Sequence, residues 1–200
     1  MASKTDILNQ ALIRIGQERV NAIDDTTSNT AKAANSIFDD TVRFVLREHT
    51  WNCCTKRQTL SQSTTIPDSY WAHQYALPAD LIRLDTVNGV TSADGYIQDL
   101  YAVENGYIRT DAETCAISYV EFTTNTDVFD SHLTMCIILY LSHLMQLRIG
   151  KDVSKAQMFY QMYERELREA KRIDGSEKKK LIIRNHQRSN WVRTHKLYSS

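Results

Sequence analysis

Four cysteines, six histidines and 24 acidic residues are the groups in this 200-residue sequence that could do chemistry. Their spacing decides which chemistry is open to them. Cys53 and Cys54 are adjacent and could in principle serve as a redox pair or a nucleophile. Only Lys56 and Arg57 stand near them in sequence to lower a thiol pKa. Cys115 and Cys136 are isolated, and no C-x-x-C pair occurs, so neither a zinc framework nor a secreted disulfide scaffold is indicated. Reduced, mostly buried thiols are expected. His49, His73, His132, His143, His186 and His195 include no i, i+4 ligand pair, and His132 and His143 stand about three helical turns apart. Asp24-Asp25 and Glu166/Glu169 are the carboxylate pairs. A glycosidase needs two such groups roughly 5–9 Å apart across a cleft, and these fall instead in a capping loop and on a charged helix face. Gly16, Gly89, Gly95, Gly106, Gly150 and Gly175 match no phosphate-cradling loop, and no G-x-S-x-G elbow is present. The expectation is a protein with no catalytic residues, no cofactor and no metal, and not an enzyme.

The elements that must position these residues follow from periodicity. Ile7, Leu8, Ala11, Leu12 and Ile15 predict a helix over 4–15, with Gly16 as its C-terminal glycine. A capping-rich break at Asp24–Ser28 precedes a second helix over 29–48, with Ala34, Ile37, Phe38, Thr41, Phe44 and Val45 on its buried face. Asp39 and Arg43 are placed for a helical ion pair. From Trp51 to about Val120 the pattern becomes strands: 55–60, 70–76, 81–87, 96–103, 107–110 and 114–123. Asn88-Gly89, Asp94-Gly95 and Asn105-Gly106 serve as turns. The third helix, 131–149, is apolar nearly all round and ends at Gly150. It reads better as a central core helix than as a membrane span. The fourth, 153–172, buries Ala156, Phe159, Tyr160, Tyr163, Leu167 and Ala170, and Asp174-Gly175-Ser176 breaks it. The N-terminal Met-Ala-Ser-Lys-Thr-Asp has no leader pattern.

The fold expected is α+β. Two N-terminal and two C-terminal helices (1–50 and 131–175) form a four-helix bundle, and an antiparallel β lobe (51–130) is inserted between them. An extended basic tail occupies 176–200. His49, Trp51 and Trp71 are expected at the junction of bundle and lobe. The formal net charge of zero hides a split. Residues 176–200 carry Lys178, Lys179, Lys180, Arg184, Arg188, Arg193 and Lys196 against Glu177, a net of +6, which leaves residues 1–175 at −6.

The order Ala11-Leu12-x-x-Ile15-Gly16, Ile23-Asp24-Asp25, Thr30-Ala31, Phe38-Asp39-x-x-Val42-Arg43-x-x-Leu46-x-x-His49-x-Trp51, Arg57-x-x-Leu60 and Tyr75-x-Leu77-Pro78-x-Asp80-Leu81-x-Arg83 resembles the tail tubular protein A family. These are the head-to-tail adaptors of short-tailed bacteriophages. The motifs cover about residues 6–84, and element order extends the likeness to about 175. The resemblance implies a structural virion protein assembled in the host bacterial cytoplasm. It would form a ring of twelve copies beneath the portal protein and offer a platform to a tail nozzle of the tail tubular protein B kind and to tail fibres. The ring would extend the channel through which genomic DNA passes without specific binding, and no membrane is involved. Cell-wall hydrolysis has been credited to some members, but no residue here carries that activity over.

The charge split fits such a conduit. An acidic body repeated around a channel repels phosphates, whereas Lys and Arg would hold them. The tail, with Trp191, Leu197 and Tyr198 among its cations, suits an arm that folds onto an acidic protein surface. Its expected portal-docking residues are Lys178, Lys179, Lys180, Arg184, Arg188, Trp191, Arg193, Lys196 and Tyr198. Two rival readings are a nucleic-acid-binding protein that uses the basic tail as its arm, and a cell-wall hydrolase with two facing carboxyls.

Overall fold

A computed structural model describes residues 2–25, 27–65, 70–91 and 100–177. The nine residues expected to dock the tail on a portal, the Asp94-Gly95 turn and residues 96–99 lie outside the described residues. The fold is mixed α and β, with four α-helices and two small antiparallel sheets among the described residues.

α1 (Lys4–Arg14) is set by local chemistry at both ends. Ser3 Oγ accepts the Asp6 N–H (3.1 Å), and the Asp6 carboxylate accepts the Ser3 N–H (2.9 Å), a reciprocal capping box. At the other end Gly16 adopts φ +74°. Its N–H reaches Ile13 O (3.0 Å) and the Gln17 N–H reaches Leu12 O (2.9 Å), which closes a Schellman turn. α2 (Asn29–Arg47) is capped by Ser28, whose hydroxyl accepts the Ala31 N–H at 3.2 Å. Its buried face is Ala31, Ala34, Phe38, Thr41, Val42, Val45 and Leu46. Phe44 was expected on that face but is exposed at its edge, stacked on Tyr140.

α3 (Ser131–Met145) is capped by Asp130, whose carboxylate accepts the Leu133 N–H at 2.7 Å. It continues as one π turn (Gln146–Gly150) before Lys151 turns the chain with φ +51°. This stretch is long and apolar enough to cross a membrane, yet half of its most apolar window is buried inside the fold. α1, α2 and α4 all pack on α3, so an all-round apolar sequence has neighbours on every side. α4 (Val153–Glu177) begins at Asp152, which caps the Lys155 N–H at 3.0 Å. The predicted break at Asp174-Gly175-Ser176 does not occur. Glycine in a helix costs about 1 kcal/mol, but Asp174 is 5% exposed and bound from two directions, and these tertiary bonds carry the helix through Gly175.

Between α2 and α3 the described residues make a 3-10 turn at Asn52–Cys54 and then seven strands: β1 (Thr55–Leu60), β2 (His73–Ala76), β3 (Leu81–Val87), β4 (Val90–Thr91), β5 (Ala102–Glu104), β6 (Tyr107–Thr110) and β7 (Cys115–Glu121). One sheet has the order β1-β7-β3-β4 and the other β2-β6-β5, all antiparallel. The hairpins β3–β4 and β5–β6 turn at Asn88-Gly89 and Asn105-Gly106. All four of these residues have positive φ, as a two-residue type I′ turn requires.

β7 lies between β1 and β3 and is buried on both faces. Cys115, Ile117 and Tyr119 join Leu60, Tyr75, Val87, Tyr101 and Ile108 in a core between the sheets. Val120 points the other way, with Ile82 and Cys54, into the helical core. The predicted strand at 70–76 shortens to β2. Tyr70 is fully exposed, and Trp71 is half-exposed ahead of the strand and belongs to neither buried cluster.

Candidate functional site

The densest polar constellation sits where the end of α2, the Asn52–Cys54 turn and the end of α4 meet. Trp51 is fully buried, and its indole Nε1–H donates to Val45 O at 3.1 Å. His49 meets the Trp51 ring edge-on, with centroids 5.2 Å apart, and its Nε2 lies 2.9 Å from Asp174 Oδ2. The second carboxylate oxygen of Asp174 accepts the Asn52 N–H at 3.0 Å, and Asn52 Nδ2 donates to the Asp174 carbonyl at 2.8 Å. Lys171 and Glu48 form an outer pair at 3.4 Å. On the far side Arg47 donates to Ile82 O (2.9 Å) and Arg83 donates to Arg47 O (3.0 Å), tying α2 to β3.

The expected junction residues therefore divide. His49 and Trp51 are at the seam, and Trp71 is not among the side chains packed there. A His–carboxylate pair can serve a general base, but this one is spent on structure. It clamps the last turns of α4, the part of the helix from which residues 178–200 continue.

A second feature lies at the opposite end of α4. Five rings line up across three helices. Phe44 stacks on Tyr140 (4.4 Å, 11°), Tyr140 touches Tyr163 (5.1 Å) and His143 (5.9 Å), and Tyr160 touches His143 (5.3 Å) and Tyr163 (6.0 Å). Beside them opens a groove of about 360 Å³ lined by His143, Leu147, Val153, Ala156, Gln157 and Tyr160. His143 Nδ1 is 2.9 Å from Ala156 O, so the ring braces the groove floor. Val153 is 68% exposed and Tyr160 36%, and Leu147 and Phe44 are exposed as well. Tyr163 is buried behind them, and its hydroxyl has no hydrogen-bond partner among the described residues; burial pushes its phenol pKa well up. Tyr160 was expected in the core and instead forms the groove wall.

The remaining candidates resolve into surface structure. Asp39 does not pair with Arg43. Its carboxylate is 3.4 Å from Lys4 Nζ, and the Arg43 guanidinium lies 3.6 Å from the centroid of Phe122. This cation–π contact joins α2 to the end of β7. Glu166 pairs with His132 at 2.9 Å, and Glu169 with Arg172 one turn away. The Asp25 carboxylate caps Thr27, whose hydrogen bonds hold its pKa below the usual range. His73 Nδ1 lies 2.9 Å from Gln62 Nε2. Lys56 bridges Asp80 (2.8 Å) and Glu121 (3.1 Å), joining β1 to β7 and to the turn that leads into β3. Those two carboxylates raise the Lys56 pKa. Among the described residues no group of three or more His, Cys, Asp or Glu side chains could hold a metal ion.

Sequence reasoning missed two things. Asp174 was read as a helix breaker, and no local signal names a partner 125 residues away. The ring cluster did leave a trace, because Tyr140/His143 and Tyr160/Tyr163 repeat a three-residue spacing on facing helices. No protein-family model matches this chain, and no curated protein matches it.

Proposed function

We propose that this chain is a structural ring subunit of the head-to-tail adaptor kind, working by docking onto copies of itself and onto other proteins. The observation that carries the reading is the open aromatic groove at the start of α4. Leu147, Val153 and Tyr160 stand exposed around a cavity, and Phe44, stacked on Tyr140 in the ring cluster beside it, is exposed as well. Burying one such side chain is worth about 1.5–3 kcal/mol, and Tyr is among the residues most enriched at interface centres. A protein that works alone gains nothing from leaving this surface uncovered.

In this reading the four helices act as one bundle and the β lobe as an insertion presented away from it. Neighbouring copies, twelve in the adaptor family that the sequence resembles, pack side by side through the α3–α4 groove. The net charge of −6 over residues 1–175 keeps duplex DNA sliding past the ring instead of adhering to it. The basic segment 178–200, which follows directly on the clamped end of α4, docks on an acidic portal surface. The β lobe faces the tail nozzle. The expected site of action is the virion, at the joint of head and tail.

Mass measurement of the full chain alone and with purified portal protein tests this. The reading expects a small species alone and a ring-sized complex with the portal. A chain that stays a lone globule in the presence of portal protein would end it.

A further inference from the structure

The Asn52–Cys54 turn carries two adjacent thiols that the proposed function does not use. Cys53 Sγ and Cys54 Sγ lie 3.8 Å apart. Cys54 is 2% exposed and sits in the helical core, while Cys53 is half-buried and within reach of small solutes. Cys53 Sγ is 3.6 Å from Asp130 Oδ2, on the same carboxylate whose other oxygen caps α3. Asn52, the first residue of the turn, holds Asp174 near the end of α4 through both its backbone N–H and its side chain. One three-residue turn thus touches the start of α3 and the end of α4, with the sulfur pair in its middle.

We propose that Cys53 and Cys54 form an oxidisable vicinal dithiol that a hydroperoxide converts into an intramolecular disulfide, and that closing this bond loosens the turn's hold on the end of α4.

The two thiols have different roles. The Cys54 S–H hydrogen bond to Cys53 lowers the Cys53 pKa, against burial and the nearby Asp130 carboxylate. The same contact and burial push the Cys54 pKa up. Cys53 is the sulfur that solutes reach, so it is the one that reacts, and the buried Cys54 resolves. Cys53 Sγ attacks one peroxide oxygen, the O–O bond breaks, and hydroxide leaves, giving the Cys53 sulfenic acid. Cys54 then gives its proton to hydroxide and attacks Cys53 Sγ. The S–O bond breaks, a second hydroxide leaves, and the S–S bond forms. Two thiols and one hydroperoxide molecule, taken as hydrogen peroxide, give one disulfide and two waters, and two electrons pass from the sulfurs to the peroxide.

A disulfide needs its sulfurs about 2 Å apart. The pair must therefore close nearly half of its present separation. Because the residues are adjacent, that movement is taken up by the turn's own backbone. Cys53 also loses the S–H it directs at Asp130. Asn52 is the neighbour through which the displacement reaches Asp174. Cys115 and Cys136 serve as internal controls: both are buried, and burial pushes their thiols up to about 11 and about 12.

The experiment treats the full-length protein with hydrogen peroxide under native conditions. Mass spectrometry is read on the peptide spanning 52–57, and amide hydrogen exchange on residues 168–177. The expected result is a loss of two hydrogens from that peptide, reversed by dithiothreitol. Exchange in the last turns of α4 should become about tenfold faster, and Cys53→Ser should abolish both changes. Persistent thiols at 53 and 54, a sulfinic acid at Cys53 beside an intact Cys54 thiol, or disulfide-linked dimers would overturn the dithiol. A disulfide that forms while α4 exchanges at its original rate would overturn the coupling.

Discussion

The two ends of α4 are built on opposite principles. At the Glu177 end a buried carboxylate meets a histidine and the backbone and side chain of Asn52, all within the same chain. At the Val153 end five rings and a groove stand open, with Val153, Tyr160 and Leu147 exposed around them. Directional polar bonds finish one end, because a buried charge without partners would be intolerable there. Apolar surface leaves the other end unfinished, because exposure of that kind is tolerable until a partner covers it. A single helix thus carries a closed joint at Asp174 and an open one at Tyr160, about 21 Å apart along its axis.

Breaking the closed joint should have the largest effect on stability. Asp174→Ala removes the partner of His49 and the acceptor for the Asn52 N–H and leaves both groups half-buried without it. Urea denaturation should show a loss of about 3 kcal/mol, and a loss under about 1 kcal/mol would mean the clamp is ornamental. Next comes a substitution behind the open joint. Tyr163→Phe removes a buried hydroxyl that has no partner among the described residues, so it should raise stability by about 1 kcal/mol. A clear loss would show that the hydroxyl is satisfied after all.

Acid provides a third contrast. Burial raises the Asp80 pKa, but hydrogen bonds from Lys56 and Tyr119 outweigh it and hold the pKa below 3.8. Asp80 therefore adds stability that is fully present above 3.8 and is lost as the pH falls through its lowered value. Asp80→Asn should lower stability at neutral pH and flatten the acid limb of a stability–pH curve below about pH 4, where the two proteins converge. An unaltered acid limb would remove Asp80 from the account. The smallest stability effect belongs to the open joint itself. Tyr160→Glu should change the unfolding free energy measured in urea by less than about 0.5 kcal/mol, as expected for a half-exposed residue.

What could be read from the amino acids follows the range of the forces involved. α1 was legible to within a residue because Ser3, Asp6 and Gly16 act within one turn of it. The two Asn-Gly hairpins were legible because their turns need positive φ. α4 was cut short at Arg172 because the bonds that carry it through Gly175 come from residues more than a hundred positions away. Phe44 and Tyr160 looked like core residues by spacing alone. Periodicity reports which face is apolar, not whether the fold contains enough material to cover it. Asp39 and Arg43 had the right spacing for each other, but Lys4 and the Phe122 ring, both brought up by tertiary packing, are the partners they meet. The candidate groove was therefore hidden, although His143, Ala156 and Tyr160 were already named.

The central claim is that the open end of α4 is covered by another copy of the chain. The most direct test is the mass of the particle formed with purified portal protein, compared between the native chain and Tyr160→Glu. The account predicts a ring-sized complex for the native chain, and for the variant a folded protein of unchanged stability that builds no ring. A variant that assembles as well as the native chain would contradict it.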